Sequence, residues 1–404
     1  MSHFSLKNTG AHEPSVEGGQ IFANVKTKSS LADKVDDTDT LEEADPEMHS
    51  VKRGTRMQRN ALVVVTESEK DAEVATCQFP GKKDQDRYTV QLSPDVTVFP
   101  HYVGMFDGHG TSVFAADLCA SQMLSEVLGR KDRSAEDKQN SLPTDNAIIC
   151  AYRSLHDTIV DMVKKHPRTG TTAVTLFVGR DSPDAPVDRI KVAWVGDSRC
   201  IMVSPEGRVT QLTVDHSLST NAEEVKRIQD SDHTPREGLL ESPGWAIEEQ
   251  MAMERGTRAR AGSYVGKREI HGREAGPLVV FAHSGGVSLQ VSRSIGDALA
   301  ARSVLPDPEI ATFDIPKGTY TRFVAASDGL WDVYTSEAVG KMIYEIADPA
   351  VAARKLTLAA KAKRTQTGRT IDDITVVIFD LNPSPSRIRS LNSRQSSSEK
   401  CVVS

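Results

Sequence analysis

Five aspartates, Asp86, Asp107, Asp197, Asp328 and Asp372, each stand where a run of apolar, strand-like residues begins or ends. That pattern restricts the fold. Acids at strand ends sit where loops meet a rigid sheet, so they can be aimed together at one rim of an α/β scaffold. The runs are YVGMF (102–106), TAVTLFV (172–178), IKVAWV (190–195), RCIMV (199–203), RFVAA (322–326) and ITVVIF (374–379), and several are placed to pair as hairpins. Helical patterns alternate with them. After Gly110, Thr111 or Ser112 can cap a helix with apolar Val113, Phe114, Leu118, Leu124, Val127 and Leu128. In DNAIICAYRSLHDTIVDMVKK, Ile148, Tyr152, Leu155, Ile159 and Val163 share one face, as expected for a core-facing helix.

With 38% hydrophobic and 5% aromatic residues, the 404-residue chain has enough apolar material to bury a substantial core. A formal charge of -7 supplies no basic footprint, which argues against nucleic acid as a partner and leaves room for bound cations. The five cysteines, Cys77, Cys119, Cys150, Cys200 and Cys401, are widely spaced without a CxxC pair, so neither a disulfide framework nor a zinc cluster is expected. No apolar leader and no membrane-spanning run is visible, so the expected location is the cytoplasm.

Three segments are expected. Residues 1–56 are polar and carry an acidic run, as in a disordered or loosely docked leader. Residues 57–381 hold the strand and helix patterns as one domain, interrupted at 219–277 by a polar stretch broken by Gly and Pro that reads as a flap-like insertion. Residues 382–404 are a Ser-rich tail with bases Arg387, Arg389, Arg394 and Lys400 against the single acid Glu399.

The acids and their neighbours suggest the chemistry. In YVGMFDGHGT a strand runs into Asp107, and the flanking glycines allow a tight turn that aims a carboxylate, a carbonyl and an imidazole in one direction. In RFVAASDGLWD a second strand runs into Asp328, with Asp332 four residues on, and in RTIDDITVVIF two acids precede a third. Carboxylates without cysteine partners suit hard cations, Mg²⁺ or Mn²⁺, rather than zinc. Two such ions about 4 Å apart activate water and neutralise phosphate oxygens, an arrangement that serves in-line displacement at phosphorus.

The ordered series KKDQDR, FDGHG, TGTTA, WVGDSR, LTVDHS, VSRSIGD, SDGLWD and DDITVV resembles the metal-dependent protein phosphatase family of type 2C, from about Ala61 to Leu381. The resemblance implies two mainly antiparallel sheets packed as a sandwich flanked by helices. It also implies hydrolysis of phosphoserine or phosphothreonine in phosphoprotein substrates by direct attack of metal-activated water. By the same resemblance Asp107 bridges the metals, the Gly108 carbonyl joins one ion, and Asp328 and Asp372 ligate the other. Asp86 holds the attacking water, His109 is the general acid, and Asp197 and Asp332 would take a third metal.

The chain also departs from the family pattern. Asp373 stands where Asn is usual, which either tightens metal binding or leaves a solvated charge, and Gln85 replaces a Glu. The arginine that the family often carries a few residues before Asp86 reads Gly81, followed by Lys82 and Lys83 as candidate phosphate-binding cations. Arg293, Asp297 and His216 read as structural. The rival class is a pseudophosphatase binding module, which loss of the carboxylates would mark; a nucleotide-directed phosphohydrolase would instead need a base pocket. The chain ends Cys401-Val402-Val403-Ser404, a C-a-a-X box of the type read as farnesylated, so peripheral membrane association through a prenylated C-terminus is expected.

Overall fold

The computed structural model describes residues 62–97, 99–129, 142–162, 168–231, 263–270, 273–282, 288–300 and 303–383. The 1–56 leader, the middle of the 219–277 stretch and the tail with Cys401 lie outside the described residues. In chain order the first strands are β1 (Val63–Glu69), β2 (Ala72–Phe79), β3 (Arg87–Gln91), β4 (His101–Phe106), β5 (Gly108–Gly110) and β6 (Thr169–Thr171). Next come β7 (Ala173–Gly179), β8 (Val187–Val195), β9 (Arg199–Val203), β10 (Val209–Gln211), β11 (Ser263–Ile270) and β12 (Arg273–Ala282). The last are β13 (Ser288–Leu289), β14 (Ile295–Gly296), β15 (Glu309–Pro316), β16 (Thr321–Ala326) and β17 (Ile374–Leu381). The helices are α1 (Phe114–Leu128), α2 (Asp145–Asp161), α3 (Ala222–Ser231), α4 (Asp328–Trp331), α5 (Ser336–Ile343) and α6 (Pro349–Gln366).

Six strands in the order β1-β2-β17-β16-β9-β10 form one antiparallel sheet, and five in the order β15-β8-β7-β4-β3 form the other. Alternate residues of β2, β9, β16 and β17 meet those of β4, β7 and β8 in a core that includes Val74, Met105, Leu176, Ile190, Cys200, Phe323 and Phe379. The opposite face of the six-stranded sheet buries Cys77, Ile201, Val324 and Ile378 against Val339, Ile343, Leu356 and Ala360 of α5 and α6. The outer face of the five-stranded sheet buries Tyr102, Phe106, Phe177 and Ala193 against α1 and α2. The inner strands of each sheet are therefore covered on both faces, which explains why β4, β7, β16 and β17 read as nearly continuous apolar runs, whereas the edge strands β1, β3, β10 and β15 are partly exposed.

Helix ends follow local chemistry. Thr144, Thr335 and Asp348 accept backbone N–H bonds at the starts of α2, α5 and α6, and Pro349 opens α6 where its missing N–H costs nothing. At α1 the cap residue is Val113, and the Ser112 hydroxyl accepts from the Phe114 N–H at 3.1 Å. Its buried positions are Ala115, Ala116, Cys119, Met123 and Val127, while Phe114, Leu118 and Leu124 are only partly buried. Small residues let this helix approach the sheet closely, so the face that counting large apolar side chains selects is rotated from the real one. In α2 the expected Ile148, Tyr152, Leu155 and Ile159 are all buried, and Val163 lies outside the described residues.

On the helix-facing side of the six-stranded sheet, Arg322 forms a two-pronged bond with Asp380 across the β16–β17 ladder at 2.7 and 2.6 Å and donates to the Ile346 and Ala347 carbonyls just past α5. Two shorter sheets complete the fold. One is β11-β12-β13, beside which Leu218, Ile228 of α3, Val280, Ala300 and Val304 form a small core. Glu224 of α3 accepts from Arg227, Ser292 and Arg293, which joins that helix to the segment before β14. The other, β14-β6-β5, is only two or three residues deep and carries His109.

Candidate active site

The five strand-end aspartates come from different elements and gather at one end of the sandwich. Asp107 lies between β4 and β5, and its backbone is fixed on both sides by Thr172: the Thr172 N–H donates to the Asp107 carbonyl at 2.9 Å, and the Thr172 hydroxyl accepts from the Asp107 N–H at 3.3 Å. Asp197 follows β8, and Asp328 opens α4 directly after β16. Asp107, Gly110, His109, Asp197, Asp297 and Asp328 line a cavity of about 380 Å³, with Lys83 and Arg168 among its cations. Lys82 is exposed and is not among the residues lining this cavity.

Asp86 lies deeper. Its main-chain carbonyl is held by Gln78 at 3.0 Å and Arg87 at 2.7 Å, and the residue is 1% exposed. Among the described residues no donor meets either carboxylate oxygen in regular hydrogen-bond geometry, although the Thr375 and Ser327 hydroxyls soften the charge. A buried carboxylate without donors is costly unless it is protonated or faces a cation. Burial, reinforced by Asp373, pushes the Asp86 carboxyl up to about 7.

The neighbouring acids share this strain. Burial and then the charges of Asp86, Asp328, Asp197 and Asp372 hold Asp107 well above the ordinary carboxylate range. Asp328 is raised well above it by burial and by Asp197 and Asp372, while Arg364 works in the opposite direction. Asp197 is pushed up to about 6 by burial and by Asp215. Asp372 is exposed, close enough to act electrostatically on both Asp107 and Asp328.

This donor set fits hard divalent cations: oxygen ligands only, clustered negative charge, and a buried carboxylate that lacks a donor. Among the described residues no three acidic, imidazole or thiol groups converge tightly enough to enclose an ion with side chains alone. Asp107, Asp328, Asp372 and the Gly108 carbonyl are the groups that could hold such cations. Asp332, at the end of α4, faces Arg364 at 3.0 Å and Arg369 at 3.1 Å, so its charge already has two guanidinium partners.

His109 is placed by the small sheet. In the register of β5, β6 and β14, Gly170 lies opposite His109 on one side and Gly296 on the other. Gly170 leaves a window: a Cβ there would fall 2.5 Å from His109 Nε2 and closer still to the Asp297 carboxylate. Through it His109 Nε2 meets Asp297 Oδ2 at 2.6 Å. Asp297 is buried, takes a second bond from the Ser294 hydroxyl, and adopts a left-handed φ of 52°. Burial alone would lower the His109 pKa, but the Asp297 charge and hydrogen bond outweigh it and hold the imidazole above its ordinary value. Asp297, expected to be structural, is also the hydrogen-bond partner of the imidazole. Nothing in VSRSIGD announced this, because the contact exists only through pairing of strands two and three residues long.

Arg293 and His216 hold the structural places expected of them. Arg293 joins Glu224 at 2.8 Å and Glu309 at 3.3 Å, and buried His216 accepts from the Gly196 N–H at 3.1 Å. Asp373 is neither a free charge at the metals nor solvated. It is 5% exposed, and its carboxylate accepts from the backbone N–H groups of Gly81, Asp84 (3.3 Å) and Gln85 (2.5 Å). The loop that delivers Asp86 is thus wrapped around Asp373. Arg364, which sequence reading did not single out, lies 3% exposed beneath Asp328 and donates to the Gly329 and Asp328 carbonyls, each at 2.8 Å.

Comparison with known proteins agrees with this arrangement. The family model described as protein phosphatase 2C matches residues 90–368, and the strand pairing of β1, β2 and β17 extends the same sheet beyond that span. Probable protein phosphatase 2C 5 of Arabidopsis thaliana is 29% identical over 75% of this chain and 58% of its own length. Probable protein phosphatase 2C 33 of Oryza sativa subsp. japonica is 30% identical over 69% of this chain and 53% of its own. The chain therefore spans a little over half the length of these relatives. Among solved structures, a serine-threonine phosphatase 2C from Toxoplasma gondii superposes with a TM-score of 0.58 over 80% of this chain and 99% of that one, at 19% identity, which speaks for the fold. With a family model covering well over half its residues and the sandwich it implies in place, the chain belongs to the protein phosphatase 2C family.

Proposed function

We propose that this chain is a Mg²⁺- or Mn²⁺-dependent serine/threonine protein phosphatase acting on phosphoprotein substrates. The observation that carries the reading is the crowding of Asp86, Asp107, Asp197 and Asp328 around one end of the sandwich beside an imidazole held by Asp297. Metal dependence is general to the family. When bound, the cations would supply charge neutralisation for the phosphate and a more acidic water.

The chain's own residues do the rest. Asp107, Asp328 and Asp372 with the Gly108 carbonyl would hold the cations, and Asp86 would accept a hydrogen bond from the attacking water and orient it. His109, tied to Asp297 through Nε2, has Nδ1 left to give a proton to the departing seryl or threonyl oxygen. Because Asp297 raises the imidazole's pKa, the proton-bearing form persists to higher pH, where an alkoxide leaving group still needs it.

His109→Ala is expected to slow hydrolysis of a phosphothreonine peptide by about 10²–10⁴-fold, and para-nitrophenyl phosphate far less, since a phenolate leaves without a proton. Asp297→Asn removes the charge that raises His109, so the alkaline limb of the kcat/KM profile should move to lower pH. Equal losses on the two substrates, or an unshifted limb, would count against this assignment. Mn²⁺ and chelator arms on the unaltered chain test the activity itself.

For location, the reading rests on the sequence of the tail: a cytoplasmic enzyme attached reversibly to membranes through a prenylated Cys401, with Arg387, Arg389, Arg394 and Lys400 favouring an anionic surface. Phosphorylation of Ser390, Ser393, Ser396, Ser397 or Ser398 would offset those charges and lower the affinity. Intact mass of the chain expressed in eukaryotic cells, compared with Cys401→Ser, should show a prenyl adduct on the first and none on the second; an unmodified end on both rejects it.

A further inference from the structure

The acidic cavity needs a cation facing the substrate, because a phosphate dianion brought against Asp107, Asp197, Asp297 and Asp328 is repelled wherever a positive group does not meet it. Gly81 cannot supply one. A Cβ at that position would lie 2.5 Å from the Asp372 carbonyl carbon and 2.7 Å from the Asp373 nitrogen, so the loop closed around Asp373 leaves no room for a side chain there.

Two cations line the cavity among the described residues, Lys83 and Arg168. Arg168 is exposed, and among the described residues its guanidinium has no acidic partner, whereas Arg87, Arg293 and Arg364 are all committed to carboxylates. Its backbone is firmly held. The Arg168 carbonyl accepts from the Thr111 N–H at 2.7 Å and from the Thr111 hydroxyl at 3.2 Å. The next residue, Thr169, pairs with Gly110 in the β5–β6 ladder, where Gly170 lies opposite His109. Arg168 thus combines an anchored main chain, one step from the imidazole's strand register, with an uncommitted side chain at the cavity.

We infer that Arg168 is the substrate-positioning residue for the phosphoryl group, with Lys83 as a second, single-point contact. The inference rests on the phosphatase reading of the same site. A guanidinium offers a planar pair of N–H donors to two phosphate oxygens, whereas an ammonium acts as a point charge. Arg168→Lys should therefore recover only part of what Arg168→Ala loses.

The probe is inorganic phosphate, titrated calorimetrically into the full-length chain with Mn²⁺ present, so that the readout does not depend on turnover. Arg168→Ala is expected to weaken phosphate binding by roughly tenfold or more, with Arg168→Lys in between. The melting temperature and its rise on adding Mn²⁺ should be unchanged, since the side chain is exposed and holds no carboxylate among the described residues. In turnover, KM for a phosphothreonine peptide should rise more than kcat falls. Phosphate affinity in Arg168→Ala within twofold of the unaltered chain would overturn the assignment. Failure of the unaltered chain to hydrolyse phosphopeptide with Mn²⁺, while Arg168→Ala still loses phosphate affinity, would instead sink the phosphatase reading and leave the anion site standing.

Discussion

Asp107→Asn is expected to abolish phosphatase activity, by about 10³-fold or more, and at the same time to make the chelator-treated protein more heat-stable. The two effects share a cause. Burial penalises the ionised form of Asp107, and the charges of Asp86, Asp328, Asp197 and Asp372 add to that penalty. An amide of the same shape removes one charge from that cluster, which relieves repulsion but also removes an anionic oxygen that would hold a cation.

The sign of the pH dependence follows from the same crowding. In the folded chain Asp197 and Asp86 are raised from the ordinary 3.8 to about 6 and about 7. The folded state therefore holds more protons than the unfolded one between those limits, and stability without cations must fall as pH rises through them. With chelator, the melting temperature of the unaltered chain should drop between about pH 4 and pH 7, the span of those shifts, and Asp107→Asn should flatten the drop. Adding Mn²⁺ should reverse it in the unaltered chain and do much less in the variant. Full activity in Asp107→Asn at saturating Mn²⁺, or a melting curve that ignores the ion in both proteins, would remove Asp107 from the centre of the site.

Much of this site was legible as sequence because its acids sit at the ends of long, strongly apolar strands. β4, β16 and β17 are buried along their whole length, and their β-branched, apolar runs, such as ITVVIF, read as buried strands. Once those strands are placed, Asp107, Asp328 and Asp372 have to fall at the same end. The departures from expectation come from contacts that have no period in the sequence. Asp297 reaches His109 only because two very short strands flank Gly170, and a two-residue strand leaves no hydropathy pattern. Arg364 approaches Asp328 from the last turn of α6, 36 residues away, where a basic residue reads simply as a favourable helix end. The rotated face of α1 has the opposite origin: small Ala115, Ala116 and Cys119 do the packing, and a reading weighted by side-chain size passes over them.

Asp373→Ala is the substitution expected to cost the most stability, and its reason is the loop rather than the metals. In the native chain one carboxylate oxygen accepts from Gly81 and Asp84 and the other from Gln85 and, at 3.4 Å, Asp86. Truncation leaves these buried or half-buried N–H groups without an acceptor in a place that water does not readily reach, each unmet group costing about 1–3 kcal/mol. Because they belong to one loop the losses will not add fully, and a total of about 3–5 kcal/mol is expected. Activity should fall with it, since the same loop positions Asp86 and Lys83. Asp373→Asn separates geometry from charge: it keeps one acceptor oxygen for one pair of N–H groups and turns an amide donor toward the other, so it should lie between the unaltered chain and Asp373→Ala in urea midpoint. It should also relieve the electrostatic push on Asp86, whose carboxyl Asp373 raises. If Asp373→Ala unfolds at the same urea concentration as the unaltered chain, the carboxylate does not hold the loop, and the position belongs with the metal ligands after all.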